Sequence, residues 1–108
     1  MLPSKKRISK DSFKSILVGG TVIHSPNFTL RTVSSSVEGY AVLVSKKVAP
    51  QAVLRNKIRR RVYSIIHKAS PFIKKTAKNI ISAKAGVKNL SFSATQEEVF
   101  QLLKKALQ

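Results

Sequence analysis

The run from Arg55 to Arg61 contains the densest set of side chains in this sequence that could bind a charged partner. On a helical wheel, Asn56, Arg59, Arg60 and the following Tyr63 fall away from the apolar positions. Guanidinium groups match phosphate oxygens in a planar fork, and an amide or a phenol adds further hydrogen bonds. No acid stands at a helical spacing that would neutralise these cations. The run therefore predicts a helix face that binds a polyanion.

Groups that could catalyse a reaction are sparse. Neither His24 nor His67 has a carboxylate or a second ligand at motif spacing. The pair Glu97-Glu98 fits a helix cap better than a metal site, and Gly19-Gly20 fits a helix end better than a phosphate loop. The absence of cysteine excludes disulfides, thiolate zinc sites and cysteine nucleophiles. We therefore predict no catalytic residue and no metal site on the protein.

The charge balance identifies the class of partner. The 108 residues carry 21 Lys and Arg against 4 Asp and Glu, a formal net charge of +17, and no acid occurs between Gly39 and Gln96. Such a charge favours nucleic acid as the partner, and a membrane surface is less suitable because the chain lacks Trp. We expect a soluble, cytoplasmic, single RNA-binding domain over residues 1–108, with 1–8 as a flexible basic N-terminus.

The hydropathy pattern predicts an α+β domain with the element order αβββαβα. A first helix is expected over Phe13, Ile16 and Leu17, ending at Gly19-Gly20. Three strands are expected at Thr21–His24, Phe28–Val33 and Tyr40–Ser45, and their succession predicts an antiparallel meander.

The second half of the chain predicts two helices around a fourth strand. After Pro50, an apolar stripe with helical spacing comprises Leu54, Ile58, Val62, Ile65, Ile66 and Ala69. Ser70-Pro71 is expected to end this helix, with a basic linker or short turn over 72–78, a strand at Asn79–Ala83 and a loop over 85–93. Thr95 and Glu98 predict a capping box. The helix that follows it should bury Val99, Leu102, Leu103 and Ala106.

These motifs resemble a known family. Ser45-Lys46-Lys47, then Ala52-Val53, then Arg55-Asn56-Lys57-Ile58-Arg59-Arg60 is similar to the S-K-K and A-V-x-R-N-R-x-K-R signature of the bacterial ribonuclease P protein component. The resemblance covers nearly the whole chain, from Met1-Leu2-Pro3 to Leu102-Leu103-Lys104-Lys105. It implies a four-stranded mixed sheet with helices packed on it and a left-handed β-α-β crossover.

The resemblance also implies a function. The protein would be the accessory subunit of an endoribonuclease that removes the 5′ leader from precursor tRNA. A large RNA would carry the active site and its Mg²⁺ ions, with no organic cofactor, no membrane and no protein oligomer. The residues implied to bind the catalytic RNA are Arg55, Asn56, Lys57, Arg59, Arg60, Arg61, Lys46 and Lys47. Those implied to line a leader-binding groove are Phe13, Leu17, Thr29, Arg31 and Ser45.

The sequence departs from the family pattern at several of these positions. Lys57 stands where arginine is usual, so a contact there would lose the bidentate fork. Leu17 and Arg31 stand where Phe and Tyr are common, which predicts weaker base stacking in the groove.

The charge and the size also fit a structural RNA-binding protein of the ribosomal type. Such a protein would sediment with ribosomal subunits, whereas the accessory subunit would stimulate a ribonuclease P RNA at low Mg²⁺. A sequence-specific DNA-binding protein is disfavoured, because strands and not a helix-turn-helix precede the basic helix.

Overall fold

The computed structural model describes residues 19–36, 38–72 and 77–107. The predicted first helix and the predicted flexible N-terminus lie outside these ranges, apart from the glycines expected to end that helix. The described elements are β1 (Thr21–His24), β2 (Phe28–Ser34), β3 (Gly39–Leu43), α1 (Ala52–Ala69), a 3-10 helix (Ser70–Phe72), β4 (Ala77–Ala83), a second 3-10 helix (Ala85–Asn89) and α2 (Phe92–Leu107). Neither α-helix of this part of the chain has an apolar stretch long enough to cross a bilayer.

The four strands form one mixed sheet with the order β1-β2-β4-β3. β1 pairs with β2 and β2 with β4 in antiparallel fashion, whereas β3 and β4 are parallel. The mixed sheet is confirmed, but the antiparallel meander is wrong, because β4 lies between β2 and β3. The physical reason is the composition of β4: Ile80 and Ile81 point to opposite faces and both are fully buried, as in a central strand.

Strands β3 and β4 are joined through α1, which makes a β-α-β connection. Its implied left hand stays a prediction. β4 begins at Ala77, two residues earlier than expected, so the predicted linker over 72–78 ends in strand. β3 ends at Leu43 and not at Ser45, and the chain then turns towards α1.

The core lies between one face of the sheet and the two α-helices. Phe28, Leu30 and Ile81 are fully buried on that face. The predicted stripe of α1 is confirmed: Ile58, Val62, Ile65, Ile66 and Ala69 are buried, and Leu54 packs against them partly exposed. From α2, Val99, Leu102 and Leu103 are buried and Ala106 is partly buried against the core.

Tyr63 does not share the exposed face of α1 on which the helical wheel places it. The side chain packs against the core, and its Oη accepts a hydrogen bond from Val42 N at 3.2 Å. A long side chain at the edge of the apolar stripe can reach the sheet, so Tyr63 holds α1 against β3.

Helix α2 begins earlier than the predicted cap at Thr95. Ser91 caps the helix: Ala94 N donates to Ser91 Oγ at 3.1 Å, and Thr95 N donates to the Ser91 carbonyl at 3.0 Å. Thr95 Oγ1 also donates to that carbonyl at 2.8 Å. The capping box is therefore wrong, since Ser91 supplies the same kind of cap four residues upstream. As a consequence Glu98 lies beyond the first turn of α2 and does not cap the helix; its side chain contacts the β1–β2 turn instead.

Candidate nucleic-acid interface

A tight turn connects β3 to α1 and presents two lysines. The Ser45 carbonyl accepts hydrogen bonds from Val48 N and Ala49 N, both at 3.1 Å, and Ser45 Oγ accepts a second bond from Val48 N at 3.3 Å. Val48 and Ala49 are buried. Lys46 and Lys47 are therefore exposed at the tip of a turn that is fixed on both sides.

Arg55 holds this turn against the helix. Its Nη1 donates to the carbonyls of Ala49, at 2.9 Å, and Pro50, at 2.8 Å. The side chain is half-buried. Arg55 thus positions the start of α1, and with it Lys46 and Lys47, in addition to any contact its outer atoms make with a partner.

The first half of α1 carries the surface that we name the donor face, which comprises Asn56, Lys57, Arg59 and Arg60. Asn56, Lys57 and Arg60 are exposed, and Arg59 is half-buried. Arg59 Nη2 donates to Asn56 Oδ1, which engages the only acceptor atom among these four side-chain heads. The outward groups are then all N–H donors, the complement of phosphate oxygens. Arg61 is half-buried at the edge of this face.

The N-terminus of α1 adds to the positive potential. Gln51 makes no side-chain cap, and the first turn holds no acid. The first intrahelical hydrogen bond runs from Arg55 N to the Gln51 carbonyl at 3.1 Å. The preceding N–H groups and the positive end of the helix dipole therefore lie at the end of α1 that follows the turn with Lys46 and Lys47.

The predicted leader-binding residues are not all brought together. Thr29 and Arg31 lie on the face of β2 opposite the core, in register with Ser82 and Ile80 of β4. Ser45 lies two residues beyond the end of β3, in the turn described above. Phe13 and Leu17 lie outside the described residues.

His24 lies on the same outer face and was not expected to have a role. It is the register partner of Thr29, and its Nδ1 lies 3.4 Å from Thr29 Oγ1. Only the strand register reveals this, because five residues and a turn separate the two in sequence. The outer face therefore carries a histidine, a hydroxyl and a guanidinium on adjacent positions.

Glu98, on α2, fixes the β1–β2 turn. Its Oε2 accepts hydrogen bonds from Ser25 Oγ and from Asn27 N, the latter at 2.7 Å, and its Oε1 accepts one from Asn27 Nδ2 at 2.8 Å. Lys84 contributes from the end of β4: its N donates to the Asn27 carbonyl at 2.8 Å and its Nζ to the Ser25 carbonyl at 2.7 Å. Partial burial opposes ionisation of Glu98, but these donors and the Lys84 charge outweigh it and lower the pKa of Glu98 below its ordinary value.

Gly86 belongs to the same arrangement. A Cβ at this position would lie 2.3 Å from Asn27 Oδ1, so a side chain there would displace the Asn27 amide. Within the part of the chain that the structure describes, no three His, Asp or Glu side chains form a group that could hold a metal ion.

Comparison with known proteins identifies the family. The sequence profile of the family described as Ribonuclease P matches residues 2–107. The ribonuclease P protein component of Rippkaea orientalis is 28% identical over 97% of this chain and 89% of its own, and that of Microcystis aeruginosa is 27% identical over 97% and 93%.

Solved structures agree in fold. The Staphylococcus aureus RNase P protein superposes with a TM-score of 0.85, at 26% identity over 94% of both chains. The RNase P protein from Thermotoga maritima gives the same TM-score at 19% identity, over 94% of this chain and 98% of its own, and so supports the fold alone. With a profile match across almost the whole sequence, this chain belongs to the ribonuclease P protein family.

Proposed function

We propose that this chain is the protein subunit of ribonuclease P and that it helps a catalytic RNA remove the 5′ leader from precursor tRNA. The observation that carries the proposal is the donor face: among its four side chains, the only acceptor atom, Asn56 Oδ1, accepts a hydrogen bond from Arg59. Such a surface binds the phosphate backbone of RNA and rejects other cations. We assign docking of the catalytic RNA to this face, together with Lys46, Lys47, Arg55 and Arg61.

The protein contributes charge and position, and the chemistry is assigned to the RNA. Mg²⁺ takes oxygen ligands and keeps several waters, and RNA phosphates supply such ligands. The guanidinium and ammonium groups of the donor face would repel a divalent ion, but they screen the repulsion between RNA segments that must approach each other to hold it. The protein should therefore lower the Mg²⁺ concentration that cleavage requires.

We assign the single-stranded leader to the outer face of the sheet. Arg31 can pair with a leader phosphate or stack on a base. Thr29, two residues earlier on the same face of β2, and its register partner His24 lie beside it. Because Arg31 replaces an aromatic side chain that is common in the family, the contact would depend more on charge than on stacking.

Reconstitution tests the proposal. The full chain is mixed with a bacterial ribonuclease P RNA and a precursor tRNA at low Mg²⁺, and 5′-leader cleavage is measured with and without the protein. We expect stimulation that disappears at high Mg²⁺. Absence of stimulation, together with sedimentation of the protein with ribosomal subunits, would favour the ribosomal-type alternative instead.

The leader assignment has a test of its own. Arg31→Ala should weaken binding of precursor tRNA to the holoenzyme and leave binding of mature tRNA, which lacks the leader, unchanged. Thr21→Ala, an exposed position on β1, is the matched control. Equal weakening for both tRNAs would place Arg31 outside the leader site.

A further inference from the structure

A second surface with RNA-binding chemistry lies at the opposite end of α1 from the donor face. Phe72, in the 3-10 helix that follows α1, is 75% exposed, and Phe92, at the start of α2, is 37% exposed. Exposed aromatic rings offer faces on which nucleic acid bases can stack. We give the name aromatic patch to Lys68, Phe72 and Phe92, which belong to the end of α1, the 3-10 helix after it and the start of α2.

One contact establishes that the two segments of the aromatic patch meet. Lys68 Nζ lies 5.4 Å from the centroid of the Phe92 ring, a cation–π arrangement. Lys68 is in the last turn of α1, four residues before Phe72, and is itself exposed. An ammonium group therefore lies over the Phe92 ring, and the exposed Phe72 follows that lysine by four residues in the chain.

The aromatic patch is separate from both RNA-binding regions assigned above. Lys68 is seven residues along α1 from Arg61, the nearest residue assigned to docking of the catalytic RNA, a distance of about 10 Å at the rise of an α-helix. The helices also cover the core face of the sheet, whereas Thr29 and Arg31 lie on its outer face. Neither the donor face nor the leader site accounts for the exposed rings.

We propose that the aromatic patch binds unpaired nucleotides of RNA, with a base stacked on Phe72, the more exposed ring, and a phosphate held by Lys68 beside Phe92. Exposed rings interleaved with cations are the arrangement that binds single strands, and it is sequence-tolerant because every base has a π-face. Charge decides between this partner and a second copy of the chain, since two bodies of net charge +17 repel each other. The proposal goes beyond docking of the catalytic RNA and beyond leader binding.

Photocrosslinking of the full chain to a short oligouridine that contains 5-iodouridine tests the location. We expect crosslinked peptides that contain Phe72 or Phe92, in addition to any from the outer face of the sheet. An Arg31→Ala chain, in which the leader site is weakened, should keep the crosslinks at the aromatic patch. Crosslinks confined to other peptides in both proteins would overturn the proposal.

Affinity measurements in the Arg31→Ala background test the stacking. Fluorescence anisotropy with labelled oligouridine should show binding weakened about 5- to 150-fold by Phe72→Ala, the range for loss of one stacked base. Phe72→Leu keeps the apolar bulk and should weaken binding as well. Phe100→Ala, which removes another partly exposed aromatic side chain, is the control and should leave binding unchanged. Unchanged affinity in both Phe72 variants would contradict the proposal.

Two further measurements separate the alternatives. Because Phe72 is largely exposed, its variants should retain the circular dichroism and Tm of the parent chain, so weakened binding would not reflect unfolding. Sedimentation should show a monomer at all concentrations; a dimer abolished by Phe72→Ala would identify the aromatic patch as a contact between copies and overturn the proposal. Leader cleavage by the reconstituted enzyme tests the donor face independently of either result.

Discussion

The β1–β2 turn and the first half of α1 differ in whether their charged groups have partners of opposite charge within the described part of the chain. At the turn, one carboxylate, Glu98, accepts three hydrogen bonds and has a lysine beside it. On α1, the cations follow one another within a stretch of sequence that contains no acid from Gly39 to Gln96. The charge of Glu98 is neutralised by groups of the same chain, and these contacts stabilise the fold. The charges on α1 are left for a binding partner to neutralise. Substitutions in the two regions should therefore change different properties.

The largest effect on stability should come from Glu98→Gln. The amide would place a donor where Ser25 or Asn27 now donates, so we expect a loss of about 1–3 kcal/mol in the free energy of unfolding. Denaturant titration measures it. RNA affinity at a temperature where the variant is folded should not change. A matched Glu97→Gln substitution, at an exposed neighbouring position, should have little effect on stability.

The donor face should respond to substitution in binding and not in stability. Arg60→Ala should weaken binding to the catalytic RNA and reduce the slope of log K against log salt concentration by about one unit for each phosphate that Arg60 neutralises. The unfolding midpoint should stay unchanged because Arg60 is exposed. An unchanged slope would show that Arg60 binds no phosphate, and Lys104→Ala, an exposed cation on α2, is the control.

The pH dependence of stability should also distinguish the two regions. The pKa of Glu98 is lower in the folded chain than its ordinary value of 4.5, so its contribution is complete above that value and lost as the pH falls through the folded pKa. The difference in Tm between the wild type and Glu98→Gln should therefore be constant near neutral pH and narrow in acid. A difference that stays constant through the acid range would show that the hydrogen bonds do not depend on ionisation.

Arg55→Lys should have the smallest effect, and it should change both stability and RNA affinity. A lysine keeps the charge, but its ammonium group ends a shorter, flexible stem and lacks the fixed planar geometry with which Arg55 Nη1 donates to the carbonyls of Ala49 and Pro50. We expect a stability loss of about 1 kcal/mol and a modest loss of RNA affinity with an unchanged salt slope. A loss of RNA affinity without any loss of stability would mean that Arg55 mainly contacts phosphate.

The parts of the fold that the sequence predicted were those governed by local periodicity. The apolar stripe from Ile58 to Ala69 specified α1 almost to the residue, because helical spacing decides which side chains can be buried together. The strand order could not be predicted in the same way, since pairing partners far apart in sequence leave no local pattern. One signal was present: adjacent isoleucines at 80 and 81 are typical of a strand covered on both faces.

The residues of the candidate site also differ in whether the sequence could predict them. The donor face follows from spacing on one helix, so Asn56 and Arg60 could be identified from the sequence. The bond from Arg55 to the preceding turn and the pairing of His24 with Thr29 depend on how the chain folds back. The role of Glu98 depends on a turn 71 residues away. The sequence could not reveal it, because the same glutamate also fits a capping box with Thr95.

The central position of β4 has a consequence for how the protein is made. Within the described residues, β3 pairs only with β4, and β4 follows both β3 and α1 in the chain. During synthesis, α1 therefore leaves the ribosome before the strand that completes its sheet. Contacts between residues so distant in sequence form slowly, so the cationic helix is exposed to cellular RNA before its own fold is complete. A nascent chain halted before Ala77 would carry the RNA-binding sequence without the scaffold that orients it.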